Sequence, residues 1–193
     1  MTTIKISTLV LALGLAAIPA AHAGTGAEVL LGSSGTYITS GGSLSTVLTD
    51  ADKGTYAYSL DRGAYVDLGW TSVFVLNGAG DDLALFELGI PDSFTVTING
   101  ISNVYTTSDT GSDAGGYDVN RSFVDLSSFG LAAGASISSL RIGMDIQDAG
   151  GTVPSLSYVE ALNTAPVPEP ETYAMLLAGL GVMGALARRR KVQ

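Results

Sequence analysis

From residue 34 to residue 162 the chain reads as short runs of alternating apolar and polar residues broken by turn chemistry, with no sustained helical period. Phe94, Val96 and Ile98 alternate with Thr95 and Thr97, which puts three apolar side chains on one face of a strand. The Asn99-Gly100 pair that follows favours a tight type I′ hairpin. Leu83 to Leu88 is nearly continuous in apolar residues, as a central strand covered on both faces would be, and Glu87 is out of place within it.

The pattern predicts strands at 34–38, 43–48, 54–58, 64–70, 72–76, 83–88, 93–98, 104–107, 121–125, 138–145 and 156–162. One weak helical segment is expected at 126–133, and an exposed polar loop at 108–120. The expected fold is therefore all-β: a two-sheet antiparallel β-sandwich, most simply a jelly roll, over residues 24–163. A Pro-containing linker is expected at 164–167.

Both ends break the pattern. Residues 1–23 carry Lys5, an apolar run, Pro19 and an Ala21-His22-Ala23 box, the order of a signal peptide cut by signal peptidase after Ala23. Residues 168–193 open with Pro168-Glu169-Pro170, an extended stretch short of two backbone donors. Residues 172–187 then carry no charge, and as a helix they would be about 24 Å long, marginal for a hydrocarbon core of about 30 Å. A basic tail, Arg188-Arg189-Arg190-Lys191, would act as a stop-transfer cluster and hold that end in the cytoplasm. The expected arrangement is a sandwich flanked by a signal peptide and a single transmembrane helix.

Charge and composition narrow the function classes. Residues 24–167 hold 16 acidic side chains against Lys53, Arg62, Arg121 and Arg141, so this span is more acidic than the whole chain at −9. Phosphate backbones would repel it, which argues against a nucleic-acid partner. The chain has no cysteine, and its one histidine, His22, falls in the expected signal peptide. Residues 24–167 therefore cannot supply a thiolate zinc site, a Ser-His-Asp triad or an imidazole base.

The chemistry left is that of carboxylates and aromatic rings. Asn77-Gly78-Ala79-Gly80-Asp81-Asp82 partly matches a glycine-rich calcium repeat, and Asp81, Asp82 and Glu87 are the candidate calcium ligands; the alternative is that Asp81 and Asp82 are solvated turn residues and Glu87 faces a sheet edge or pairs with Arg121 or Arg141. Asp109, Asp113 and Asp118 fit no EF-hand spacing. Trp70, with Tyr56, Tyr58, Tyr65, Tyr105 and Tyr117, is the candidate platform for a sugar ring, with core packing as the alternative. A glycosidase would have to rest on a pair such as Asp82 and Glu87, and nothing in their spacing requires a cleft between them. No catalytic residue is assigned.

The order of Pro168-Glu169-Pro170, apolar helix and Arg188 to Arg190, on a chain that also has a signal peptide, resembles the PEP-CTERM sorting signal of Gram-negative bacteria. The resemblance implies transient residence in the inner membrane, processing by an exosortase near Pro168, Glu169 and Pro170, and delivery to the cell surface or extracellular matrix. The runs LNGAGDDLALFELGIPDSFTVTING, FVDLSSFGLAAGASISSLRIGMD and SLSYVEALN are similar to galactose-binding-type jelly-roll domains. Together these imply an exported, non-enzymatic structural or adhesive protein linked to exopolysaccharide or biofilm. The alternatives are a calcium-dependent carbohydrate-binding module and, behind it, a small glycan-active hydrolase.

Overall fold

The computed structural model describes residues 24–144, 152–167, 175 and 177–183. Its strands are β1 (Thr25–Gly26), β2 (Val29–Ser34), β3 (Tyr37–Thr39), β4 (Ala57–Ser59), β5 (Tyr65–Gly69), β6 (Val73–Leu76), β7 (Leu83–Leu88), β8 (Ser93–Ile98), β9 (Ile101–Thr106), β10 (Ser108–Ala114), β11 (Tyr117–Val124), β12 (Ser136–Ile137), β13 (Ser139–Gly143), β14 (Leu156–Ala161) and β15 (Thr164–Pro166). One helix, α1 (Leu44–Thr49), and a 3₁₀ turn at Leu126–Phe129 complete them.

The strands form an antiparallel sandwich. One sheet has the order β10-β11-β7-β14-β4-β3, with β1 beside β4 on the far edge of β14; the facing sheet has the order β2-β5-β13-β8-β9. A small third sheet, β12-β6-β15, closes one side. The inner faces meet in one core: Leu83 and Leu85 from β7, Val124 from β11 and Leu156 from β14 pack with Val66, Leu68, Phe94, Val96, Ile98 and Ile142.

Strand β7 is buried on both faces, as its composition requires. Its other face, Ala84, Phe86 and Leu88, packs with Val119 and Tyr158 in a second apolar cluster, and the Lys53 ammonium lies 3.9 Å from the centre of the Phe86 ring. The β8–β9 hairpin turns as expected, with φ of 51° at Asn99 and 80° at Gly100. The helical segment expected at 126–133 shrinks to the 3₁₀ turn, with the Asp125 carboxylate accepting from the Ser127 amide at its start.

Three expectations are corrected. Residues 43–48 form a helix instead of a strand: the Ser43 hydroxyl caps it by accepting from the Thr46 amide, and Val47 and Leu48 turn together into the core. The polar stretch at 108–120 is a two-stranded hairpin, β10 with β11, because β11 continues inward to pair with β7 and carries β10 on its free edge. The linker at 164–167 is strand β15, paired with β6, and the Val167 amide donates to the Ser72 carbonyl. Thr164 is buried there. The sheet's hydrogen bonding therefore extends at least to Val167.

Both ends of the domain converge on residues 70–72. The Trp70 indole donates to the Thr25 carbonyl at 3.1 Å, and the Glu28 carboxylate accepts from the Thr71 and Ser72 amides at 2.6 and 2.8 Å and from both hydroxyls. Ser72 in turn holds Val167. Residues 177–183 are helical and expose Leu177, Leu180, Val182 and Met183. Among the described residues no helix is long and apolar enough to cross a membrane.

Glu28 should make this junction sensitive to acid. Burial pushes its carboxyl up, but the hydrogen bonds from Ser72 and Thr71 outweigh that and bring it down to about 2 from 4.5. A depressed folded-state pKa stabilises the fold fully above the unfolded value and stops doing so as pH falls through the folded one. Thermal unfolding of the full chain is expected to show stability falling between pH 4.5 and 2, and Glu28→Gln to be less stable at pH 6 with a flatter acid limb.

Candidate functional site

Tyr56, Tyr58 and Tyr117 come together on the outer face of the larger sheet. Ala57 and Ser59 are buried, so strand alternation turns Tyr56 and Tyr58 outward together. Their rings stack at 6.3 Å, and Tyr117, the first residue of β11, meets Tyr56 edge to face at 5.6 Å. A hydrogen bond with Tyr117, helped by desolvation, pushes the Tyr56 phenol above its ordinary value. These rings, with Leu88, Gly89, Ile90, Val153 and Ser155, line an open cleft of about 280 Å³. Flat apolar faces edged by hydroxyls suit the ring of a sugar.

Backbone contact places the rings. The loop that carries Lys53 and Tyr56 crosses the outer face of the sheet, held by the Ser157 hydroxyl donating to the Lys53 carbonyl at 2.9 Å. At the tip of the β10–β11 hairpin, Gly115 adopts a φ of 58°, and a Cβ there would meet the Gly54 carbonyl oxygen at 2.5 Å. This close approach brings Tyr56 beside Tyr117.

The aromatic residues singled out from the sequence separate into distinct environments. Trp70 is 3 % exposed, and its ring is in the core, so it offers no face to a ligand. Tyr65 lies on the opposite sheet beneath the Arg141 guanidinium, 3.6 Å from its ring centre. Tyr105 stacks on Phe129, and its hydroxyl bonds that of Ser128 at 2.8 Å. Only the three tyrosines of the cleft share a site. Their convergence was not legible beforehand, because it depends on the hairpin bringing residue 117 to residue 56.

The three candidate calcium ligands do not converge either. Asp82 is fully buried just before β7, where one carboxylate oxygen accepts from the Gly78 amide at 2.7 Å and the Asn163 side chain at 2.8 Å, and the other from the Leu126 amide at 2.9 Å. Asp81 is exposed beside it. Glu87 lies five strand positions away, about 17 Å at the strand rise. That separation also removes the pair from the range of two carboxylates working across one glycosidic bond. Among the described residues no group of three or more Asp, Glu or His side chains is gathered as a metal would need.

Glu87 is 1 % exposed on the inner face of β7. Neither expected arginine reaches it: Arg141 forks onto Asp67 at 2.7 and 2.9 Å, and Arg121 lies over the Phe123 ring. One oxygen of Glu87 accepts from the Asp92 amide at 2.9 Å and from the Thr107 hydroxyl. Burial pushes its carboxyl up to about 7 against those hydrogen bonds, and the negative charge of Asp92 adds to the rise.

Ala21, Ala23, Pro168, Glu169, Pro170, Arg188, Arg189 and Arg190 lie outside the described residues. Residues 166–191 match the PEP-CTERM protein-sorting motif. The chain thus carries this sorting motif, which implies processing by an exosortase and export to the cell surface by way of the membrane. No curated protein matches the chain.

Among solved structures, the catalytic domain of a GH87 alpha-1,3-glucanase in complex with nigerose is similar at a TM-score of 0.37 and 14% identity, over 72% of this chain and 27% of that one. A variant of that domain in complex with tetrasaccharides gives 0.39 and 13%, over 76% and 31%. The chain spans less than a third of the length of these proteins, and likeness at this level says nothing of its activity.

The Gly54–Gly115 approach gives a test of how the cleft is built. Gly115→Ala is expected to push the two loops apart, to cost about 1 to 3 kcal/mol in urea unfolding, and to weaken the near-UV circular dichroism of the coupled tyrosines. Wild-type stability and an unchanged spectrum would show that the contact does not hold the rings.

Proposed function

We propose that this PEP-CTERM chain is a non-enzymatic adhesive or structural protein of the surface or matrix of a Gram-negative bacterium, and that its tyrosine cleft holds exopolysaccharide. The observation that carries this reading is the cleft's position. Strand β14 runs from Leu156, beside Ala57 and Glu87, to Ala161, beside Thr25 and Leu83. The tyrosines sit at the Leu156 end, and the chain ends sit at the Ala161 end, about 17 Å apart along the strand.

In this reading signal peptidase cuts after Ala23, and a helix over 172–187 anchors the protein transiently in the inner membrane. Both membrane-directed segments then leave one end of the sandwich, and the cleft faces away from them. Val167, one residue before Pro168, donates its amide to the Ser72 carbonyl. The exosortase would therefore meet its recognition residues directly beyond a folded stop.

The acidic surface speaks for the same setting, since it keeps the domain from binding nucleic acid and other polyanions non-specifically. Stacking on tyrosine needs no charge on the glycan, and a neutral or weakly charged polysaccharide is the partner that fits. Separation of Asp82 from Glu87 supports binding without turnover.

Affinity electrophoresis of the full chain in detergent, through gels containing exopolysaccharide from an exosortase-bearing host, tests this reading. Retardation is expected for the wild type, with a loss of about tenfold or more in Tyr58→Ala and Tyr117→Ala, as removal of one stacking contact worth about 1.4 kcal/mol predicts. Tyr65→Ala, on the other sheet, is expected to behave as wild type. Migration unaffected by the polysaccharide, or retardation that survives both cleft substitutions, would overturn the proposal.

A further inference from the structure

Glu87, Asp92, Thr107 and Asn120 close the Leu156 end of the sandwich from inside. Glu87 and Asn120 are direct cross-strand partners on β7 and β11, so their side chains leave the same inner face. Asp92 precedes β8 and Thr107 follows β9, and the Thr107 amide donates to the Asp92 carbonyl at 2.8 Å. The Asp92 amide and the Thr107 hydroxyl both donate to one oxygen of Glu87, which ties the facing sheet to β7.

Three of the remaining side-chain oxygens have no donor within hydrogen-bonding distance. Glu87 Oε1, Asp92 Oδ2 and Asn120 Oδ1 are unpartnered, in residues that are 1 %, 3 % and 0 % exposed. The Asn120 orientation is set by its amide nitrogen, which donates to the Gly89 carbonyl at 2.8 Å and leaves its oxygen without a partner. The other Asp92 oxygen accepts from the Ser93 amide at 2.8 Å. Buried polar atoms are ordinarily satisfied, and these three orphaned acceptors, two on the hydrogen-bonded Glu87 and Asp92 and one on the cross-strand neighbour Asn120, lack a positive centre.

We propose that Glu87, Asp92 and Asn120 hold a calcium ion through these three oxygens. All the donors are hard oxygens, and the two carboxylates match a divalent charge. Magnesium holds on to several of its waters, so oxygens buried away from solvent suit calcium better. The site differs from the Asp81 and Asp82 pair, which lies at the opposite end of β7, and an amide carbonyl stands where a third carboxylate would be expected. A bound ion would fix the turn from Gly89 to Asp92, which carries one wall of the tyrosine cleft. The inference does not depend on polysaccharide binding.

Native mass spectrometry and thermal unfolding of the full chain in detergent, stripped with EDTA and then given calcium alone, test it. One calcium per chain is expected, with a midpoint rise of about 5 °C or more at a hundredfold excess over the dissociation constant, and a smaller rise with magnesium. Asp92→Asn and Asn120→Ala are expected to weaken calcium binding at least tenfold. Asn120→Asp should be less stable than wild type in EDTA and regain stability with calcium, and Asp81→Asn should respond as wild type. A chain that binds no calcium and shows no shift, or a response kept in Asp92→Asn and lost in Asp81→Asn, would overturn the assignment.

Discussion

The pairing of β7 with β11 on one edge and β14 on the other is the constraint from which the rest of the fold follows. A strand with apolar residues on both faces has to be covered on both. The inner cover is the five-stranded sheet, and the outer cover is the second cluster, with the Lys53 ammonium stacked on Phe86. That outer cover draws the loop after α1 across the sheet, and the loop delivers Tyr56 to the hairpin tip. An acidic residue at each end of β7 then collects the connecting segments: Asp82 receives Gly78, Leu126 and Asn163, and Glu87 receives Asp92 and Thr107. Each of these carboxylates joins segments distant in the chain.

The same pairing gives the domain a direction. Because β14 lies antiparallel to β7, its start shares an end of the sandwich with Glu87 and Tyr58, and its finish shares the other with Thr25 and Asp82. The sorting motif beyond Val167 and the segment before Gly24 both leave near Trp70 to Ser72. On the proposed reading, a chain anchored beyond Val167 presents its aromatic cleft away from the membrane. Glu28 joins the two ends through a single turn, so the stability of that junction depends on one carboxylate staying ionised.

The sandwich was legible in the sequence wherever one face of a strand decides its fate. Phe94, Val96 and Ile98, followed by Asn99-Gly100, are a complete local instruction, and β8 has the bounds that the pattern predicts. Leu83 to Leu88 announced a doubly covered strand. Where the deciding partner lies far along the chain, the reading failed. Leu44, Val47 and Leu48 fit helical and extended spacing alike until the Ser43 cap is seen. Residues 108–114 hold no apolar pattern and become a strand only because β11 offers them an edge. Residues 164–166 become a strand because β6 does.

The candidate site residues follow the same division. Glu87 stood out as a charge in an apolar run, whereas its neighbours Asp92 and Asn120 look like ordinary turn and strand-end residues until the sheets close over them. Trp70 drew attention by its size, and size sent it into the core.

If the cleft at the Leu156 end faces outward and holds matrix polysaccharide, a probe on its rim must be reachable from outside the cell and shielded by the polymer. The chain has no cysteine, and Ile90 on the rim of the cleft is 72 % exposed, so Ile90→Cys supplies a single reporter thiol. The most direct measurement is its rate of labelling by a membrane-impermeant maleimide on intact cells of an exosortase-bearing host, with the exopolysaccharide present or stripped. Labelling without lysis is expected, and slower labelling when the polysaccharide is present. Labelling only after lysis, or at the same rate with and without the polysaccharide, would contradict the proposed reading.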